Sequence, residues 1–218
     1  MKQYKRTRPQ PRTRSKGLII FSRVASFVFH PFFMTSIAAV LIYKLAPSSF
    51  RSYSSSAIRI FIEKLSVFSV LLPFLAVFLF RKLNLISDTK MHEASDRIYP
   101  LLTALVFYTT AYWLLARTLP VFIHSLLFGS CLSIFILFII TNFYKISVHT
   151  TAAAILPGVC VVLMLSGKTT MVPLLFASLI AIIVGIVRWL LGAHTIGQIL
   201  LGYLTGIFTQ LGAYYYLH

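Results

Sequence analysis

A succession of apolar runs, each about twenty residues long and separated by short polar breaks, limits this chain more than any other feature. A helix rises about 1.5 Å per residue, so twenty residues match a bilayer core of roughly 30 Å. The runs fall at about Pro31 to Ala46, Ala57 to Phe80, Tyr99 to Arg117, Val121 to Phe143, Ser147 to Leu165, Met171 to Leu191 and His194 to Leu217. With 58% hydrophobic and 11% charged residues in 218, and a mean hydropathy of +0.87, the composition lies outside the range of soluble domains. The expected fold class is all-α, a polytopic transmembrane helical bundle of about six or seven spans.

Charge is lopsided, with 20 Lys and Arg against 4 Asp and Glu. Lys2, Lys5, Arg6, Arg8, Arg12, Arg14 and Lys16 crowd into an N-terminal tail that contains no acid. Such a tail reads as a cytosolic segment obeying the positive-inside bias and touching anionic lipid headgroups. It lacks interleaved aromatics, so a nucleic-acid partner is not expected. Cys131 and Cys160 sit inside apolar runs and read as small fillers, not as a disulfide or metal pair.

Along the chain, His30 and Pro31 break the stretch from Gly17 to Ala46, and His30 reads as an interfacial cap with Pro31 opening the following helix. Arg59 and Glu63 stand one turn apart and read as a structural pair. Leu119 and Pro120 leave room only for a tight turn, which predicts an antiparallel hairpin. Pro157 and Gly158 predict a kink. Gly202 and Gly206 have GxxxG spacing, and Tyr214, Tyr215 and Tyr216 suit an interfacial anchor. The SGKTT of Ser166 to Thr170 ends like a nucleotide-binding loop, but Val162 occupies the place of the required glycine and no strand precedes it.

Three polar clusters carry the chemistry: Lys90 to Arg97, Lys145 to His149, and Arg188 to Gln198. Two crossings separate each from the next, so parity predicts that all three emerge on one membrane face. Lys90, Arg97 and Arg188 are suited to hold a phosphate through charge-assisted hydrogen bonds, with Ser147 beside them. His149 and His194 are suited to divide nucleophilic attack from proton donation. His194 and Gln198, one turn apart, share a helix face. Any one such residue alone reads as a snorkelling or capping group.

In these residues the chain resembles the type-2 phosphatidic acid phosphatase family, whose members also resemble vanadium haloperoxidases. That family's first signature is lysine, six residues, arginine and proline; Lys90 and Arg97 match, followed by Ile98, with proline only at Pro100. Its second is Pro-Ser-Gly-His, against Ile146, Ser147, Val148 and His149. Its third is Ser-Arg, five residues, His, three residues, Asp, against Val187, Arg188, His194 and Gln198. The resemblance extends from about Arg81 to the C-terminus. It implies an integral-membrane phosphatase domain over residues 17–218 behind the tail of residues 1–16. It also implies attack on phosphorus by His194 to form a phosphohistidine, protonation of the leaving oxygen by His149, and binding of the phosphate oxygens by Lys90, Arg97, Ser147 and Arg188. No metal or other cofactor is implied, and the expected partner is a phosphorylated membrane lipid.

The departures define the alternative. Gln198 accepts a hydrogen bond but brings no charge where the family has aspartate, and loss of that charge in the serine-protease triad lowers turnover about 10⁴-fold. Val148 replaces a glycine that lets a backbone amide approach closely. A catalytically weak relative that binds phosphorylated lipid or acts as a scaffold is therefore the second reading, and a transporter, with Glu63 and Lys64 as the intramembrane charges, is the third. The expected location is an integral membrane, with a bacterial inner membrane compatible. Which face carries the site, which lipid is the substrate and the oligomeric state stay open.

Overall fold

A computed structural model describes residues 15–86, 95–115 and 119–217. About 84% of the described residues are helical, and none is in a strand. Helix α1 spans Lys16–Val28, α2 Pro31–Leu45, α3 Ser55–Ser66, α4 Leu72–Lys82, α5 Ser95–Leu115, α6 Val121–Thr141, α7 Val148–Leu165, α8 Met171–Leu190 and α9 Ile196–Leu217. Among the described residues, six spans are long and apolar enough to cross a membrane: α3 to α4 taken together, and each of α5 to α9. Helices α1 and α2 meet at an elbow of 58° and pass the same test only as a pair. This is an integral membrane protein.

The predicted second span is longer than expected, running from Ser55 to Lys82, and it is not uniform. A π-helical turn, Val67–Leu71, joins α3 to α4. Pro73 lies at the start of α4, and its missing N–H cannot complete the regular ladder there. Arg59 and Glu63 pair at 3.8 Å on the exposed side of α3, as their spacing predicts.

Helix α7 is the axis of the bundle, with 72% of its membrane window buried against neighbouring helices. Its small residues, Ala152, Ala153 and Ala154, let those helices approach. Helix α8 instead turns Leu175, Leu179, Ile182 and Ile186 outward, a stripe suited to lipid. Pro157 lies inside α7, which is continuous from Val148 to Leu165. Gly158 makes room for α9, since a Cβ there would sit 3.1 Å from the Gln210 Cβ.

Two glycine-terminated helix ends reverse the chain. Gly167 and Gly192 adopt φ of 65° and 66°. Lys168 N bonds Leu163 O at 2.8 Å and Gly167 N bonds Met164 O at 3.0 Å, a Schellman stop. That geometry is what the SGKTT segment encodes. At the end of α8, Ala193 N bonds Arg188 O at 3.1 Å and Gly192 N bonds Trp189 O at 3.0 Å in the same pattern. The chain therefore turns back within a few residues, and His194 returns beside the helix that carries Arg188.

Candidate functional site

Close contact between α7 and α9 builds the framework. A Cβ at Gly202 would overlap the Thr150 hydroxyl and lie 2.9 Å from Ser147 O. A Cβ at Gly206 would overlap Thr151 O and lie 2.7 Å from the Ala154 Cβ. The GxxxG pair thus lets the α9 backbone rest on the first turns of α7. Two bonds fix the register: Ser147 N donates to Gln198 O at 3.3 Å, and the Thr150 hydroxyl donates to Ile199 O at 3.3 Å. The start of α7, carrying His149, is thereby held to the start of α9, carrying Gln198.

Gln198 serves two structures at once. Thr195 Oγ1 accepts from Gln198 N at 3.4 Å, while Gln198 Oε1 accepts from Thr195 N at 3.2 Å, a reciprocal capping box at the start of α9. A backbone N–H only donates, so the side-chain atom facing it is the amide oxygen. That oxygen also lies 3.0 Å from His194 Nδ1, which must therefore carry the proton. The lone pair of His194 is left on Nε2, the tautomer a nitrogen nucleophile requires. The Thr-x-x-Gln spacing was visible in the sequence as a capping signal.

The cations converge on the same place. Arg97 is buried at the start of α5 and its Nη1 donates to Ile146 O at 3.1 Å, one residue before Ser147. Arg188 donates from Nη1 to Ser26 Oγ of α1 at 3.0 Å, while its buried Nε meets no acceptor among the described residues. The charges of Arg188 and Arg97 both act on His149 and on His194, and His194 also acts on His149. Lys145 also acts on His194, and His30 on His149. Among the described residues no three His, Cys, Asp or Glu side chains are arranged to hold a metal.

Ser147, Arg97, Arg188, His149, His194 and Gln198 are thus brought together at one end of the bundle. Ser147 is fully buried and its Oγ accepts from Thr150 N at 3.3 Å, so it is the N-cap of α7. Lys90, with Asp88 and Glu93, lies outside the described residues, as does the basic tail through Arg14. His30 does cap α2, its Nδ1 accepting from Phe32 N at 3.4 Å. The sequence reading left it at that cap, but its ring also packs edge-to-face on His149, with centroids 5.3 Å apart. Ser26 and His30 are site residues that no periodicity pointed to, since helical spacing says nothing about what an elbow touches.

Burial, then the charges of Arg188 and Arg97, and more weakly Lys145, push the His194 imidazole down to about 3, with the Gln198 bond opposing them. The free ring is neutral across the physiological range. Its NMR resonances are expected to show no titration between about pH 5 and 8, whereas an inflection near the ordinary value of about 6.5 would contradict this environment. The sign for stability follows. The unfolded chain takes up a proton as pH falls below about 6.5 while the folded ring resists until about 3, so stability is lost across that window and is unaffected above it.

Fold and cluster together define an integral membrane protein of the helical-bundle class, with a buried cationic site containing histidines at one end. No family model, curated protein or solved structure matches the chain.

Proposed function

We propose that this protein is a membrane phosphatase acting on a lipid phosphate or diphosphate through a phosphohistidine. The observation that carries this reading is the Arg188 guanidinium, whose buried Nε–H meets no acceptor among the described residues, beside the imidazoles of His149 and His194 on which its charge acts. Buried donors without partners are rare and costly, and a tetrahedral anion satisfies them. The motif resemblance names the same residues.

In the proposed route the lone pair of His194 Nε2 attacks phosphorus, and the bond from phosphorus to the lipid oxygen breaks. His149, protonated once the bound anion offsets Arg97 and Arg188, gives its proton to that leaving oxygen. Water then attacks the phosphohistidine, returning a proton to His149 and releasing phosphate from Nε2. Gln198 holds the His194 tautomer throughout. Lys90, Arg97, Ser147 and Arg188 bind oxygens, Ser147 also capping the helix that presents His149.

Val28 and Phe33, on either side of the elbow, line an open surface groove of about 560 Å³ that continues along Val67, Leu71 and Phe74 and includes Glu63. Its mostly apolar walls suit an aliphatic chain, which is in keeping with a lipid substrate. A bacterial inner membrane is the proposed location, where phosphorylated lipids and a basic cytosolic tail meet.

The test is phosphate release by the purified protein from phosphatidate, phosphatidylglycerophosphate, a polyprenyl diphosphate and lipid A. Gln198→Asp is expected to keep or raise turnover, because a carboxylate retains the acceptor for Nδ1 and adds charge that stabilises the imidazolium. Gln198→Leu removes that acceptor and is expected to lose about 10²-fold or more. Turnover absent for every compound, together with tight lipid binding, would instead establish the scaffold reading, which Gln198 and Val148 favour.

A further inference from the structure

We infer that the elbow between α1 and α2 forms a wall of the anion site and that His30 is an anion-binding residue on it. The inference rests on the site being an anion site; it adds a donor that lies outside the three sequence clusters.

Three observations support it. First, the elbow is held against the cluster from both of its sides. Ser26, ahead of the bend, accepts from Arg188 at 3.0 Å, and His30, after it, packs edge-to-face on His149 at 5.3 Å. Phe29 between them packs against Ala153, Ala181 and Val184, which anchors the bend to α7 and α8 inside the bundle. An elbow that merely rested on the membrane surface would make none of these contacts.

Second, the cap fixes the chemistry of the ring. Phe32 N donates to His30 Nδ1, so that nitrogen holds a lone pair and cannot carry a proton. The proton of a neutral ring is then on Nε2, at the far side of the imidazole from the cap. His30 is thus a fixed N–H donor with one geometry, unlike a surface histidine that changes tautomer freely.

Third, its neighbours leave that donor a clear ligand class. His149 from α7 and the Arg188 charge from α8 face it, and Arg97 and His194 act on the same His149 ring. Every one of these groups is a cation or an imidazole. A break between two apolar helices, carrying a neutral donor beside the Arg188 charge and packed on His149, fits an oxyanion better than a cationic ligand. Ser26 is a positioning residue, orienting Arg188 through its hydroxyl oxygen.

The experiment uses the full-length protein in nanodiscs with inorganic phosphate and orthovanadate as probes, so that binding is read apart from turnover. His30→Asn keeps an efficient N-cap but withdraws the imidazole. It is expected to fold as wild type and to bind both anions about tenfold to a hundredfold more weakly, the size expected for one hydrogen bond to a charged group. Ser26→Ala is expected to weaken binding less. In wild type, the His30 Nε2–H resonance is expected to shift when phosphate is added, a readout that serves equally should the Asn variant fail to fold.

Unchanged anion affinity in a folded His30→Asn variant, or a His30 resonance indifferent to phosphate, would overturn the inference even where lipid phosphates are hydrolysed. Binding of phosphate that depends on His30, without hydrolysis of any lipid, sustains it while removing the phosphatase reading. A wild-type protein that binds neither anion removes both.

Discussion

Replacing His194 by alanine is expected to lower kcat on the best lipid phosphate by at least about 10⁴-fold, and to abolish any phosphate retained on the protein after rapid quenching. Removal of a nucleophile from a preorganised site costs up to about 10⁶ in turnover, with residual rate supplied by the remaining binding groups. Here those groups are Arg97 and Arg188, which the substitution leaves in place, so substrate binding is expected to change far less than turnover. The reason for placing the burden on His194 is its tautomer. Gln198 Oε1, oriented by the Thr195 amide, holds the proton on Nδ1 and frees Nε2. A variant retaining a tenth of wild-type turnover would move the nucleophile elsewhere, with His149 the next to examine.

Gly206→Leu is the second large effect, and it acts on the fold. Any Cβ at this position meets the Thr151 carbonyl and the Ala154 side chain, which belong to the buried central helix and have nowhere to retreat. Overpacking of this kind costs about 1 to 3 kcal/mol where neighbours adjust, and more where they are backbone. We expect a loss of about 3 kcal/mol or more, read as a lowered midpoint of thermal unfolding in detergent, together with loss of anion binding as Gln198 and Ser147 separate. Gly212 supplies the control. A Cβ there meets nothing within 4 Å, so Gly212→Ala is expected to be neutral or slightly stabilising through helix propensity. Equal midpoints for Gly206→Leu and wild type would show that α7 and α9 are not packed backbone to backbone.

The two substitutions test different levels of one arrangement. The glycines govern whether α9 settles on α7, and that contact governs whether His194 stays near His149. Loss of activity with an intact unfolding transition isolates the chemistry. Loss of both isolates the packing.

The helices themselves were legible because their cause is local. Twenty apolar residues in a row leave the backbone no other way to satisfy its polar groups in hydrocarbon, so α5 to α9 fall within a few residues of the runs read from the sequence. Parity was legible for the same reason: a fixed number of crossings puts Arg97, His149 and His194 at one end. Other features meant more than local spacing showed. Gly158, expected with Pro157 to mark a kink in α7, also admits α9, since a Cβ there would sit 3.1 Å from the Gln210 Cβ. The GxxxG of α9 was read as packing alone, although it is what brings the start of α9 to the start of α7.

By itself the sequence determined the class of the protein, a range of six or seven crossings and the residue types gathered at one end, since hydropathy and charge act at short range along the chain. Only the tertiary structure decided that Gln198 caps α9 and holds His194 with the same oxygen, that Ser147 caps α7, and that the elbow carrying Ser26 and His30 folds into the cluster. Those contacts join residues as far apart as Ser26 and Arg188, 162 positions along the chain, and so depend on how helices pack against one another, which no local pattern encodes.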